Sequence, residues 1–157
     1  LEAAAEALAG VGPRADLRNA LIGFFLGADG ELVSEFSGNA GARSVAGAGA
    51  YAGTSKALSV ASGRAPYALG LTGPCTSMGT ACSSSLVALH GARSAVVLDE
   101  CDRSAVVGVG ILTAAVTASF AAAGMLSPLG RCHTLDLNAD GYCRGEGVAA
   151  VVVDVDS

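Results

Sequence analysis

Tryptophan is absent from this 157-residue sequence, and aromatic residues reach only 4% of it. A core of bulky ring layers is therefore excluded. The 22 glycines point instead to close approach of backbone elements and to tight turns. Positive charge is scarce as well: nine Lys and Arg, never in a run, within a net charge of −5. That excludes nucleic acid and anionic membrane surfaces as partners. Charged residues of both signs make up 15%, a thin cover for a free-standing domain. Much of the surface is thus expected to lie under more of the same protein or under a partner. The cysteines (Cys75, Cys82, Cys101, Cys132 and Cys143) are odd in number and include no C-x-x-C pair. A disulfide framework and a zinc ribbon are poor readings, and a reducing compartment, cytoplasmic or organellar, fits better. No charged segment leads into an apolar one at the start, so no signal peptide is visible. The opening on Leu1, already in a helical pattern, reads as that of a fragment.

What is present is apolar: 52% of the residues, chiefly Ala and Val, enough to build the core of one domain. The uncharged stretch 104–130 is long enough to span a bilayer. It is interrupted by Gly108, Gly110 and Gly124, and is read as a buried strand followed by a buried helix. Apolar spacing predicts helices over 1–8, 54–64 (closed near Pro66), 83–98 and up to about 123. It predicts strands over 20–26, 75–81, 104–112 and 148–155, with loops over 27–50 and 126–146. In the helix over 83–98, Leu86, Leu89, Ala92 and Val96 share one face. Strands apolar on both faces and alternating with helices indicate an α/β architecture around a largely buried sheet.

The junction Gly79-Thr80-Ala81-Cys82-Ser83-Ser84-Ser85 lies between a predicted strand and a predicted helix. Unpaired N–H groups and the helix dipole at such a place favour an anion, hence the thiolate that a nucleophile needs. The N–H of Cys82 is also placed to donate to an oxyanion on an acyl carbonyl. Ser83 to Ser85 occupy the first turn, where small hydroxyl residues suit exposed N–H groups. The competing reading is a buried cysteine acting as a small hydrophobe.

A nucleophile calls for a base, and the sequence holds two histidines. His90 is eight residues past Cys82, roughly 12 Å along a helix axis and on another face. It reads as a packing or hydrogen-bonding residue, and His133, in a polar loop, as a solvated one. Cys132, His133, Asp136 and Cys143 form a possible metal set, but their spacing matches no common zinc pattern. Gly47-Ala48-Gly49-Ala50-Tyr51-Ala52 matches G-x-G-x-x-A without a preceding apolar strand or a following acidic residue, so the dinucleotide reading is weak.

The run Thr80-Ala81-Cys82-Ser83-Ser84-Ser85-Leu86-Val87-Ala88-Leu89-His90 resembles the active-site signature of ketosynthase domains of type I polyketide synthases. A second block agrees with it: Met125-Leu126-Ser127-Pro128, Gly130-Arg131-Cys132, Asp136, and Ala139 through Gly147. Two long motifs at the proper separation identify the chain as similar to the N-terminal half of a β-ketoacyl synthase of the thiolase superfamily. The resemblance covers most of the chain and is weakest over 27–50.

It implies a partial thiolase-like layered α/β/α/β/α fold, without the family's first strand and C-terminal half. It implies that Cys82 accepts an acyl group from the phosphopantetheine of an acyl carrier protein. Decarboxylative condensation with a malonyl-type extender would follow, in polyketide or fatty acid biosynthesis. It further implies a homodimer for the intact domain, and no metal or cofactor bound by the domain itself. The histidines and lysine that the family uses for decarboxylation lie beyond Ser157, so the fragment alone is expected to be inactive. The alternative is a non-catalytic ketosynthase-like scaffold or interaction domain. Gly79, where the family commonly has Asp, and the apolar Leu129 and Leu135 depart from the pattern. The Asp140–Glu146 block is read as structural, its charges available to Arg144 or Arg131.

Overall fold

A computed structural model describes residues 2–13, 16–28, 54 and 57–154. The chain divides into two compact units, Leu1–Val109 with Val148–Ser157, and Gly110–Gly147. The first unit begins with helix α1 (Glu2–Ala9), then β1 (Ile22–Ala28), α2 (Leu58–Leu69), β2 (Cys75–Met78), α3 (Ser84–Val97) and β3 (Arg103–Gly110). The second contributes α4 (Ala114–Ala122), after which β4 (Gly147–Asp154) returns to the first. The strands form one sheet in the order β2-β1-β3-β4, with β1 parallel to both β2 and β3.

Every residue of β1 is buried, as its unbroken apolar sequence requires of a central parallel strand. Its two faces serve two cores. Ile22, Phe24, Leu26 and Ala28 pack with Ala4 and Leu8 of α1 and with Ala65 and Leu69 of α2. Phe25 faces the other way, against Ala88, Ala92, Ala95 and Val96 of α3 and Val106 of β3. Helices therefore cover both faces of the sheet, the arrangement expected for the α/β class.

The buried side of α3 differs from the expected one. Ala92 and Val96 are inside, but Leu86 and Leu89 are exposed, and Ala88 and Ala95 take their places. The cause is distance: a Cβ on Gly91 would meet the end of Met78 at 2.7 Å and the Phe25 ring at 3.4 Å. A helix packed that closely on a sheet accepts Ala and Gly along the seam and turns its leucines away. Leu86, Leu89, Val97 and Leu98 thus form an exposed apolar side, in keeping with the thin charged surface.

Helix α2 starts and ends later than the predicted 54–64 and carries Pro66 inside. It stops four residues beyond the proline, at Gly70 (φ 77°). There the N–H groups of Gly70 and Leu71 both donate to the Pro66 carbonyl, at 2.7 and 3.0 Å, a glycine-terminated helix end. The stretch 104–130 resolves into β3 and α4, and no helix among the described residues is long and apolar enough to cross a membrane. The strand is buried from Ser104 to Val107 and exposed by Gly110, and α4, read as a buried helix, has no buried residue. The loop predicted over 27–50 and the Gly47–Ala52 motif lie outside the described residues, apart from Gly27 and Ala28 at the end of β1.

Candidate active site

Beyond the C-terminal end of β2 the chain turns through Gly79, Thr80 and Ala81 and enters α3 at Ser84. Open α/β sheets place ligands at this end of their parallel strands. Cys82 sits in that turn, exposed and with a free thiol, so the buried-hydrophobe reading does not hold. Immediately before it, Ala81 has φ 55°, a left-handed conformation that costs a non-glycine residue about 1–2 kcal/mol. Strain of this kind persists only where neighbours hold it in place.

Two serines provide the hold. The buried Ser84 hydroxyl accepts from the Thr80 N–H at 2.8 Å and donates to the Ala81 carbonyl at 2.6 Å. The Ser83 hydroxyl donates to the Thr80 carbonyl at 2.7 Å and lies 2.9 Å from Oγ1 of Thr80. The backbone N–H of Ser84 also reaches the Ala81 carbonyl, at 3.1 Å. Both hydroxyls thus bond back into the turn, and the Ser83 side chain does not cap the helix in the usual forward sense. The N–H groups of Ser85 and Leu86 have no backbone acceptor among the described residues, which leaves the helix end attractive to an anion.

The first turn of α3 rests directly on the sheet. In the register Gly27 pairs with Met78 of β2 and Gly108 of β3, so two glycines lie side by side beneath the turn. A Cβ on Gly27 would come within 2.6 Å of Ser85 Cα and 2.7 Å of the Ser84 carbonyl carbon. One on Gly108 would come within 2.5 Å of the Ser85 hydroxyl oxygen. Neither glycine was singled out for the site from sequence, although a glycine inside a strand pattern is a signal of close backbone approach.

Removing the Ser84 hydroxyl leaves the Thr80 N–H without its partner and releases the Ala81 carbonyl. Ser84→Ala is expected to cost about 1–3 kcal/mol, read as a lower urea midpoint at unchanged slope.

Within the first unit, the other predicted residue, His90, is not brought to Cys82. Expected as a packing or hydrogen-bonding residue, His90 lies further along α3 and is exposed, so it does not pack in the core; its backbone carbonyl accepts from the Ser94 hydroxyl at 2.9 Å. The exposed helix face carries it because the sheet side is reserved for small residues. His133 belongs to the second unit and is half-buried, where a solvated residue was expected. No group of His, Cys, Asp and Glu among the described residues could hold a metal ion. The Asp136 carboxylate instead accepts from the N–H and side-chain amide of Asn138, at 2.9 and 3.1 Å. In the 140–146 block, Glu146 accepts from the Leu112 N–H at 3.2 Å. Arg144 donates to Thr117 Oγ1 at 2.9 Å and lies 4.9 Å over the Phe120 ring. Gly79 has only ordinary contacts around a notional Cβ, so the glycine there is not dictated by space.

An exposed thiol at a strained strand-to-helix turn, beside open N–H groups, is suited to attack on an acyl carbonyl. Comparison with known proteins bears on the family of the chain. Residues 1–157 match the family model described as "Beta-ketoacyl synthase, N-terminal domain". The sequence is 40% identical over 133 residues to 3-methylorcinaldehyde synthase of Phoma sp, covering 84% of this chain and 5% of that protein. It is 39% identical over 155 residues to a phenolphthiocerol/phthiocerol polyketide synthase of Mycobacterium tuberculosis, covering 98% of this chain and 8% of that one. Among solved structures it is similar to the ketosynthase from module 6 of the bacillaene synthase of Bacillus subtilis 168. That match has a TM-score of 0.71 and 34% identity, over 89% of this chain and 22% of the other. An oxazolomycin ketosynthase domain of Streptomyces albus JA3453 gives 0.75 and 30%, over 90% and 24%. The chain therefore spans less than a tenth of these curated relatives and about a quarter of the solved chains.

Proposed function

The chain belongs to the β-ketoacyl synthase family, and on that premise we propose that Cys82 is the acyl-accepting nucleophile of a condensing enzyme. The observation that carries this reading is the exposed Cys82 thiol on a turn locked by Ser83 and Ser84 at the N-terminus of α3. The Cys82 thiolate attacks the carbonyl of an acyl group carried as a thioester on the phosphopantetheine of an acyl carrier protein. Charge passes to the carbonyl oxygen, where the Cys82 N–H can donate to it. The carrier thiol then leaves, and the acyl group remains on Cys82.

In the second half-reaction a malonyl-type thioester loses carbon dioxide to give a carbanion. The carbanion attacks the acyl-Cys82 carbonyl, a carbon–carbon bond forms, and the Cys82 thiolate is expelled. No histidine stands near the thiol in the first unit. Groups that assist decarboxylation are therefore assigned to parts of the domain other than these residues; the homodimer rests on the family resemblance alone. The polyketide synthase names of the relatives favour a polyketide product over a fatty acid.

The test is acyl transfer to the intact protein from an acyl-pantetheine thioester, followed by peptide mapping. A single acyl adduct on the peptide containing Cys82, lost after alkylation of Cys82 with iodoacetamide, is the expected outcome. An adduct on Cys75, Cys132 or Cys143 would overturn the assignment. A folded protein that takes no acyl group at all would establish the non-catalytic scaffold.

A further inference from the structure

The second unit holds two cysteines for which the condensation has no use. Cys132 and Cys143 are both exposed and both free thiols. The Cys132 sulfur accepts a hydrogen bond from the Cys143 N–H at 3.1 Å and lies 3.7 Å from the Cys143 carbonyl oxygen. It therefore rests on the backbone of the residue that bears the second thiol.

The framework around the pair is pinned on both sides. Tyr142, next to Cys143, bridges to Leu126: its N–H donates to the Met125 carbonyl, and its carbonyl accepts from Ser127, each at 3.1 Å. Gly141 (φ 139°) permits this approach, because a Cβ there would run into the backbone of Leu126 and Ser127. On the Cys132 side, the turn ending at Gly130 (φ 64°) is closed by its N–H on the Ser127 carbonyl at 3.0 Å. Both segments are thus anchored to Ser127, and neither thiol rides on a free loop.

We propose that Cys132 and Cys143 are a disulfide-forming pair, an oxidative modification site that peroxide converts from dithiol to disulfide. An N–Cα bond of about 1.5 Å puts the Cys132 sulfur within roughly 4.6 Å of the Cys143 Cα, so the gap to be closed is one that the Cys143 side chain and an S–S bond of about 2.05 Å can span. The Cys143 sulfur now faces the Arg144 carbonyl at 3.5 Å, and rotation about its Cα–Cβ bond turns it toward Cys132. One thiolate attacks an oxygen of hydrogen peroxide, the O–O bond breaks, and hydroxide leaves, giving a sulfenic acid. The second thiolate attacks that sulfur, the S–S bond forms, and the sulfenic oxygen departs as hydroxide. The two protons from the thiols turn both hydroxides into water. Two thiols are oxidised and one peroxide is reduced. The bond closes residues 132–143 into a ring that contains His133, Asp136 and Tyr142.

The experiment treats the intact, reduced protein with hydrogen peroxide, alkylates the remaining thiols, and maps peptides without reduction. The expected product is a cross-linked pair of peptides carrying Cys132 and Cys143, two hydrogens lighter than the sum of the free peptides. Alkylation of both cysteines should fall at least tenfold and return with dithiothreitol. In Cys143→Ser the cross-link is absent and Cys132 is trapped as a sulfenic acid adduct. Three results would each overturn the proposal: undiminished alkylation of the pair, stepwise oxidation of either cysteine to sulfinic acid without cross-linking, or a cross-link from either one to Cys75 or Cys82.

Discussion

Cys82→Ala is expected to abolish acyl loading and to lower condensation by the intact enzyme at least about a thousandfold. The thiol is the atom that becomes bonded to the acyl group, so no neighbouring side chain substitutes for it. Thr80, Ser83 and Ser84 are the nearest hydroxyls in sequence, but those of Thr80 and Ser83 are bonded to each other, and Ser84 is buried and bonded to the Ala81 carbonyl. The fold should survive the change. Cys82 is exposed, and its sulfur has no hydrogen-bond partner among the described residues, so truncation leaves no cavity and no orphaned group. The measurement is rapid-quench loading from an acyl thioester, with the urea midpoint as the control. A variant that still loads with its midpoint unchanged would remove Cys82 from the mechanism.

Gly27→Ala is expected to have the largest structural effect, about 3 kcal/mol or more, the upper range for overpacking. The added methyl meets backbone atoms, Ser85 Cα and the Ser84 carbonyl carbon, and not the end of a side chain that can swing away. Either β1 or the first turn of α3 must shift, and Cys82 moves with that turn. Acyl loading should therefore fall together with stability. Gly63 gives the contrast: it lies within α2 and has open space around a notional Cβ. Gly63→Ala should stabilise the protein by about 0.5–1 kcal/mol and leave loading unchanged. Equal effects of the two substitutions on the denaturation midpoint would show that the helix does not rest on Gly27.

Element types were readable from apolar runs and punctuation. The strands over 22–28, 103–110 and 147–154 lie within a residue or two of the expected spans, because each leaves an unbroken apolar segment; β1 is buried throughout as expected, whereas β4, at the edge of the sheet, has no buried residue. The end of α2 was not readable. Pro66 looks like a stop, yet the helix passes it because the fold supplies Gly70 four residues later to close the carbonyls. The facing of α3 is not encoded in its leucines, for a related reason. Leucines at helical spacing ordinarily mark the inside, but a helix laid almost on the sheet admits only alanine and glycine there.

For Cys82, the sequence alone determined a cysteine at a strand-to-helix junction and, through two motif blocks, the family. Both depend on residue types at short range, which is what sequence records. Only the tertiary structure decided how that cysteine is presented. Ala81 in a left-handed conformation, Ser84 bonded back across the turn, and Gly27 and Gly108 beneath Ser84 and Ser85 are products of strand register and helix approach. Gly27 and Ser85 stand more than 50 positions apart in the chain, and no local pattern encodes the distance between them.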